Sequence, residues 1–111
     1  MTPPYSPHRG DLIWLTFTPQ SGYEQAGRRP ALVVSPRSYN VKSGLVLLCL
    51  VTNQKKGYPF EVNLPEALPI TGVVLADQVR SLDWNARHAA YICSVSETLV
   101  NEVVMKLKTL L

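Results

Sequence analysis

Three short segments carry the side chains that could act on a substrate. The first is Tyr23-Glu24-Gln25-Ala26-Gly27-Arg28-Arg29-Pro30, where a carboxylate, an amide and two guanidiniums stand close together. Arginine forks match phosphate geometry, and a rigid strand following the loop would hold them in place. Read more plainly, the same loop is a solvated turn with a surface Glu–Arg pair worth under about 1 kcal/mol. The second segment is Thr52-Asn53-Gln54-Lys55-Lys56-Gly57-Tyr58-Pro59, with a hydroxyl, two amides, two ammoniums and a ring. Single-stranded nucleic acid binding uses that mixture, charge for phosphates and a ring face for bases. A hairpin loop with solubilising lysines has the same composition. If both loops flank one groove, together they mean more than either alone. The third segment is Asp77-Gln78-Val79-Arg80. Alternation along a strand sends Asp77 and Val79 to one face, Gln78 and Arg80 to the other. A carboxylate in an apolar strand is costly to bury unpaired, so Asp77 either holds an arginine or acts in chemistry.

Other chemistries find little support. The two histidines, His8 and His88, lie in polar stretches and read as solvated surface residues. Neither a Gly-rich phosphate cradle nor an H-E-x-x-H motif is present, and two scattered histidines argue against a metal. No cofactor is expected. Cys49 and Cys93 form neither a C-x-x-C pair nor a zinc-ligand spacing. Cys49 lies in an apolar run and reads as a buried, reduced thiol.

These segments need elements to position them. Residues 1–10 read as an arm. Residues 11–18 (DLIWLTFT) are rich in β-branched and aromatic residues and read as a strand. Residues 19–30 form a polar loop, and 31–35 (ALVVS) a strand buried on both faces. Ser35-Pro36 has the form of a helix start, with Ser35 as N-cap, the helix stopping at Gly44. Residues 45–52 (LVLLCLVT) are the most hydrophobic run and favour a central strand. Phe60, Val62 and Leu64 alternate with Glu61 and Asn63, the period of a half-buried strand. Residues 72–79 and 89–93 supply two more strands. Leu99, Val100, Val103, Val104, Leu107, Leu110 and Leu111 fall on one helical stripe. Ser94 with Glu97 fits a capping box, with Ser96 a competing cap. Lys106 and Lys108 suit the negative end of that helix. The sketch is an α+β domain: five or six strands in a small, strongly bent sheet, short helices between them, and a C-terminal amphipathic helix.

Composition bounds the rest. With 111 residues, 46% hydrophobic and 17% charged, residues 1–111 read as one globular domain. A net charge of +3 permits nucleic acid as partner without demanding it. The first nine residues are polar and proline-rich, unlike a signal peptide, and no apolar stretch approaches the roughly 20 residues a membrane helix needs. The expectation is a cytoplasmic protein that engages no membrane.

Taken together and in order, these segments resemble the MazF/PemK family of toxin endoribonucleases from toxin–antitoxin modules. The resemblance runs from Gly10-Asp11-Leu12-Ile13-Trp14 through Glu24-Gln25-Ala26-Gly27, Arg29-Pro30-Ala31, Ser35-Pro36 and Tyr39-Asn40. It continues through Lys56-Gly57-Tyr58-Pro59-Phe60-Glu61-Val62 and Ala76-Asp77-Gln78-Val79 to the helical tail. It implies a small SH3-like antiparallel β-barrel of the CcdB/MazF kind, a homodimer, and metal-independent cleavage of single-stranded RNA. In that cleavage the ribose 2′-hydroxyl attacks phosphorus, leaving a 2′,3′-cyclic phosphate and a 5′-hydroxyl. It also implies a MazE-like antitoxin whose disordered segment folds across the RNA groove.

Position by position, the resemblance makes Arg29 the catalytic arginine, Thr52 the phosphate-supporting threonine and Glu24 a required acid. Asp77 matches the base proposed in the PemK branch. That branch has histidine where this chain has Tyr23 and arginine where it has Leu75, which undercuts a PemK-style assignment. Some MazF relatives carry histidine at Arg28, so Arg28 reads as a phosphate contact. RNA contacts are expected from Tyr23, Arg28 and Asn40, from Asn53, Lys55, Lys56 and Tyr58 in the second loop, and from Gln78 and Arg80. Guanidinium stays protonated to about pH 12, so Arg29 suits charge stabilisation, Thr52 hydrogen-bond donation, and Glu24 either the base or the orientation of Arg29. Two rivals remain. A CcdB-type gyrase poison depends on a Trp-Gly-Ile-like tail, where this chain has Thr109-Leu110-Leu111. A binding module without catalysis would not need Glu24, Arg29 and Thr52 together.

Overall fold

The computed structural model describes residues 4–17 and 27–111. Strands β1 (Asp11–Thr16), β2 (Arg28–Val33), β3 (Leu45–Thr52), β4 (Glu61–Asn63), β5 (Val73–Asp83) and β6 (Ala90–Ser94) form one antiparallel sheet. Their order is β4-β5-β3-β2-β1-β6. Helix α1 (Arg37–Ser43) joins β2 to β3, and α2 (Glu97–Lys108) follows β6. The α+β architecture stands, and the barrel takes an open form with β4 and β6 as its edges.

Consecutive apolar residues in β1, β2 and β3 are explained by a sheet buried on both faces. Leu12, Leu32, Cys49, Val51, Val74 and Ala76 form one core, onto which α2 packs Leu99 and Val103. Ile13, Leu15, Ala31, Val33, Val46 and Leu48 form the other, closed by Tyr5, Phe17 and Trp84. Each fully buried Leu, Ile or Val contributes about 1.5–3 kcal/mol relative to exposure.

Several boundaries differ from expectation, each for a local reason. β2 begins at Arg28, so both arginines of the first segment stand on a strand: Arg28 pairs opposite Thr16 and Arg29 opposite Leu15. Pro36 takes the N-cap position of α1 without a side-chain cap. The Ser35 hydroxyl instead donates to Asn40 Oδ1 and accepts from Leu47 N. Ser96, not Ser94, caps α2, accepting from Leu99 N at 3.2 Å; Ser94 Oγ donates to Asp11 Oδ1 at 3.0 Å. The α2 stripe ends early, because the chain turns at Thr109 and leaves Leu110 and Leu111 exposed.

Residues 4–10 are docked on the sheet. Pro7 is buried, and Gly10 N donates to Val33 O at 2.9 Å. The carboxylate of Asp11, 5% exposed, accepts from Tyr5 Oη at 2.6 Å, from His8 N at 3.0 Å and from Ser94 Oγ. Burial, reinforced by the bond to and charge of Asp11, pushes the Tyr5 phenol far above its ordinary value.

Candidate active site

Arg29 and Thr52 come from neighbouring strands. The β2–β3 pairing runs from Val33 and Leu48 to Ala31 and Leu50, so Arg29 and Thr52 each lie two residues beyond its last pair, at the same end of the two strands. Arg29 is exposed and Thr52 half-buried. The Thr52 hydroxyl accepts from Gln54 N at 3.1 Å, which leaves its own hydrogen to donate. Gly72 makes the adjoining turn possible. Its φ is +123°, and a Cβ there would sit 2.3 Å from Thr52 O. Thr71 Oγ1 donates to Asn53 Oδ1 at 2.9 Å, a bond that uses the acceptor of that amide and not its N–H donors.

The second loop stands beside this pair, with Lys55 and Lys56 exposed. Tyr58 Oη donates to Asp77 Oδ1 at 3.1 Å. Loss of hydration, then the bond to and charge of Asp77, hold the Tyr58 phenol above its ordinary value. Asp77 reaches this position through a bulge. Cys49 pairs with Val79 but Val51 with Val74, so Leu75, Ala76, Asp77 and Gln78 all lie opposite Leu50. Bulges re-aim side chains and interrupt alternation. The even face split expected over 77–80 therefore cannot be carried back through the strand: Val74 and Ala76 share a core with Cys49, the residue that Val79 pairs with. Asp77 bonds a phenol, and among the described residues no arginine lies within 4.0 Å of it. Burial, and after it the charge of Asp77, push the Cys49 thiol up to about 11.

Arg28 is engaged at the end of β1. Its Nη1 donates to Thr16 Oγ1 at 2.9 Å and its Nη2 to His88 O at 3.0 Å. Among the described residues these two bonds use two of its five N–H donors. Arg87, which the sequence did not single out, clamps the same end through Thr16 O and Phe17 O. Phe17 N donates to Gly27 O at 2.7 Å, which brings together the two residues flanking segment 18–26. Tyr23 and Glu24 lie outside the described residues. Gln78 and Arg80 are exposed. Arg80 pairs opposite Leu48, four residues and so roughly 13 Å along β3 from Thr52.

Asn40 corrects the sequence reading. It is completely buried, so it offers RNA no surface. Its side chain accepts from Ser35 and donates to Pro7 O at 2.9 Å and Ser35 O at 3.2 Å, while its carbonyl accepts from Trp84 Nε1 at 2.9 Å. The residue ties the arm, α1 and the end of β5 together. A surface cavity of about 550 Å³, lined by Tyr5, His8, Arg9, Asp11, Tyr91 and Ser94, lies at the far end of β1 from Thr16 and Arg28. Among the described residues no three His, Cys, Asp or Glu side chains gather as a metal site would require.

Residues 8–111 match a family model described as PemK-like, MazF-like toxin of type II toxin–antitoxin system. The chain is 47% identical over 107 residues to the endoribonuclease toxin MazF of Escherichia coli strain K12, covering 96% of each. Its fold is similar to the crystal structure of MazF (Form-I) from Deinococcus radiodurans, with TM-score 0.87 and 53% identity over 96% of this chain and 97% of that one. It is also similar to a crystal structure of MazE–MazF (Form-II) from the same organism, with TM-score 0.86 and 48% identity over 96% of each chain.

Proposed function

The chain belongs to the PemK-like, MazF-like toxins of type II toxin–antitoxin systems, and on that basis we propose that it cuts single-stranded RNA at short sequences, without a metal. The reaction needs three roles. A base takes the 2′-hydroxyl proton as that oxygen attacks the adjacent phosphorus. Donors hold the charge of the pentacovalent phosphorane. A proton reaches the 5′-oxygen as the P–O5′ bond breaks, leaving a 2′,3′-cyclic phosphate and a 5′-hydroxyl. Arg29 supplies the charge-stabilising fork and Thr52 a hydroxyl donor. Glu24 serves as the base or as the group that orients Arg29, and Asp77 supports the site through Tyr58. Lys55, Lys56 and Tyr58 bind the flanking strand, with Tyr23, Arg28, Asn53, Gln78 and Arg80 around them.

The observation that supports this reading is the β2–β3 pairing, which leaves an exposed guanidinium and a half-buried hydroxyl at the same end of two neighbouring strands, next to a basic, aromatic loop. The partners proposed with it are a second copy of the chain and a MazE-like antitoxin, since solved relatives are MazE–MazF complexes. The setting proposed is the cytoplasm. No helix among the described residues is long and apolar enough to cross a membrane.

The test is to incubate the purified protein with a long single-stranded RNA in excess EDTA and map each new 5′ end, with Arg29→Ala alongside. The expected result is discrete cuts sharing a short sequence, absent with the variant and blocked by a 2′-deoxy nucleotide at the cut. RNA that is bound but left whole would instead make the protein a binding module.

A further inference from the structure

The loop between β3 and β4 carries the lysines and tyrosine assigned to RNA, yet those lysines do not hold its backbone in shape. Glu61, at the start of β4, does. Its Oε2 accepts from Lys56 N at 2.8 Å and its Oε1 from Gly57 N at 2.9 Å. Consecutive amides converging on one anion make a nest, and here the chain's own carboxylate fills it. Gly57 has φ of +80°, the left-handed conformation that turns adjacent amides to one side. Glu61 N in turn donates to Tyr58 O at 3.1 Å, closing the turn. A second holder reaches in from α2: Lys106 Nζ donates to Pro59 O and Glu61 O. Composition assigned Lys106 to the helix dipole and Glu61 to the outer face of a strand. The tertiary structure brings both onto one loop, a carboxylate on its amides and an ammonium on its carbonyls.

A loop held this way meets its ligand already ordered, and binding does not have to supply the ordering. We propose that Glu61 and Lys106 are positioning residues for RNA cleavage. They preset the 53–60 loop so that Lys55, Lys56 and Tyr58 meet the RNA in one geometry, and neither needs to touch the RNA itself. This rests on the ribonuclease reading above.

The test compares full-length wild type with Glu61→Ala, Glu61→Gln and Lys106→Met. The substrate is an RNA oligonucleotide carrying the mapped cut site, and each variant is also given melting and amide-exchange measurements. Glu61→Ala is expected to raise KM about tenfold with kcat within about threefold, because order of a binding loop is lost and chemistry is not. The Lys56 and Gly57 amides then exchange faster, and bases next to the cut are less strictly selected. Glu61→Gln, which keeps one acceptor oxygen, falls between. Lys106→Met gives a smaller rise in KM. Wild-type KM and cut pattern in Glu61→Ala, with those amides exchanging fast, would overturn the proposal. If Glu61→Ala does not fold, wild-type KM in both Glu61→Gln and Lys106→Met overturns it instead. A wild type that cuts no RNA defeats the ribonuclease reading, whereas an active wild type matched by its variants defeats the positioning role alone.

Discussion

The two ends of the sheet solve opposite problems. At one end Asp11 and Asn40 are buried polar side chains whose capacity is met inside the protein, by Tyr5, Ser94 and His8 N for the first, and by Ser35 and Pro7 for the second. Among the described residues no buried side-chain nitrogen or oxygen lacks a partner. At the other end Arg29, Lys55 and Lys56 are exposed, and Thr52 keeps an unused donor. A satisfied buried network rigidifies and specifies a fold. Solvent-exposed donors on a rim are what an anionic ligand needs. Both ends belong to motifs of the family resemblance, and solvent access separates the structural residues from the candidate functional ones.

The largest expected effect tests the buried end. Asn40→Ala takes away the acceptor for the Ser35 hydroxyl proton and the donor to the Pro7 and Ser35 carbonyls, which costs about 3 kcal/mol of stability. A urea titration reads this as a lowered midpoint, while cleavage per folded molecule stays near wild type. Lost cleavage at full stability would return Asn40 to the RNA surface. Next comes the open rim. Arg29→Lys keeps a charge but lacks the fork, and cleavage is expected to fall about a hundredfold, roughly 2.7 kcal/mol of barrier. Its melting temperature is expected to stay within about 2 °C of wild type, as usual for an exposed substitution. Normal cutting by this variant would remove Arg29 from the chemistry.

A third effect is set by pH. The folded thiol of Cys49 is raised from 9.0 to about 11. Its contribution is therefore complete below pH 9 and lost as pH rises towards 11, on the order of 2 kcal/mol. Tyr5, Tyr58 and Cys93 shift the same way and add to the alkaline loss. Denaturation followed from pH 8 to 11 checks this, and Cys49→Ala is expected to flatten part of the decline. The smallest effect belongs to Arg28, which serves both roles. Arg28→Ala is expected to cost about 1 kcal/mol of stability through Thr16 and His88, and to raise KM a few-fold through its remaining donors.

Residue order determined much of this molecule without help. The apolar run at 45–52 coincides with β3, because eight residues, seven of them apolar and two of those valines, bounded by Gly44 and a polar loop, are too short for a buried helix and fit a central strand. The stripe from Leu99 to Val104 likewise demands a helix face on a core. The chemistry-bearing types at positions 29, 52, 55, 56 and 58 are visible as types. What they face is not. The pairing that brings Arg29 and Thr52 to one end of β2 and β3 joins distant segments of the chain. The bulge that brings Asp77 to Tyr58 depends on three residues more in β5 than in β3 between paired positions. Whether Ser94 or Ser96 caps α2 was settled by Asp11, 83 residues away from Ser94. Asn40 and Glu61 could not be assigned locally for the same reason. Burial and hydrogen bonding between remote parts of a chain are properties of the packed structure, and a polar side chain carries no mark of which side of the surface it will end on.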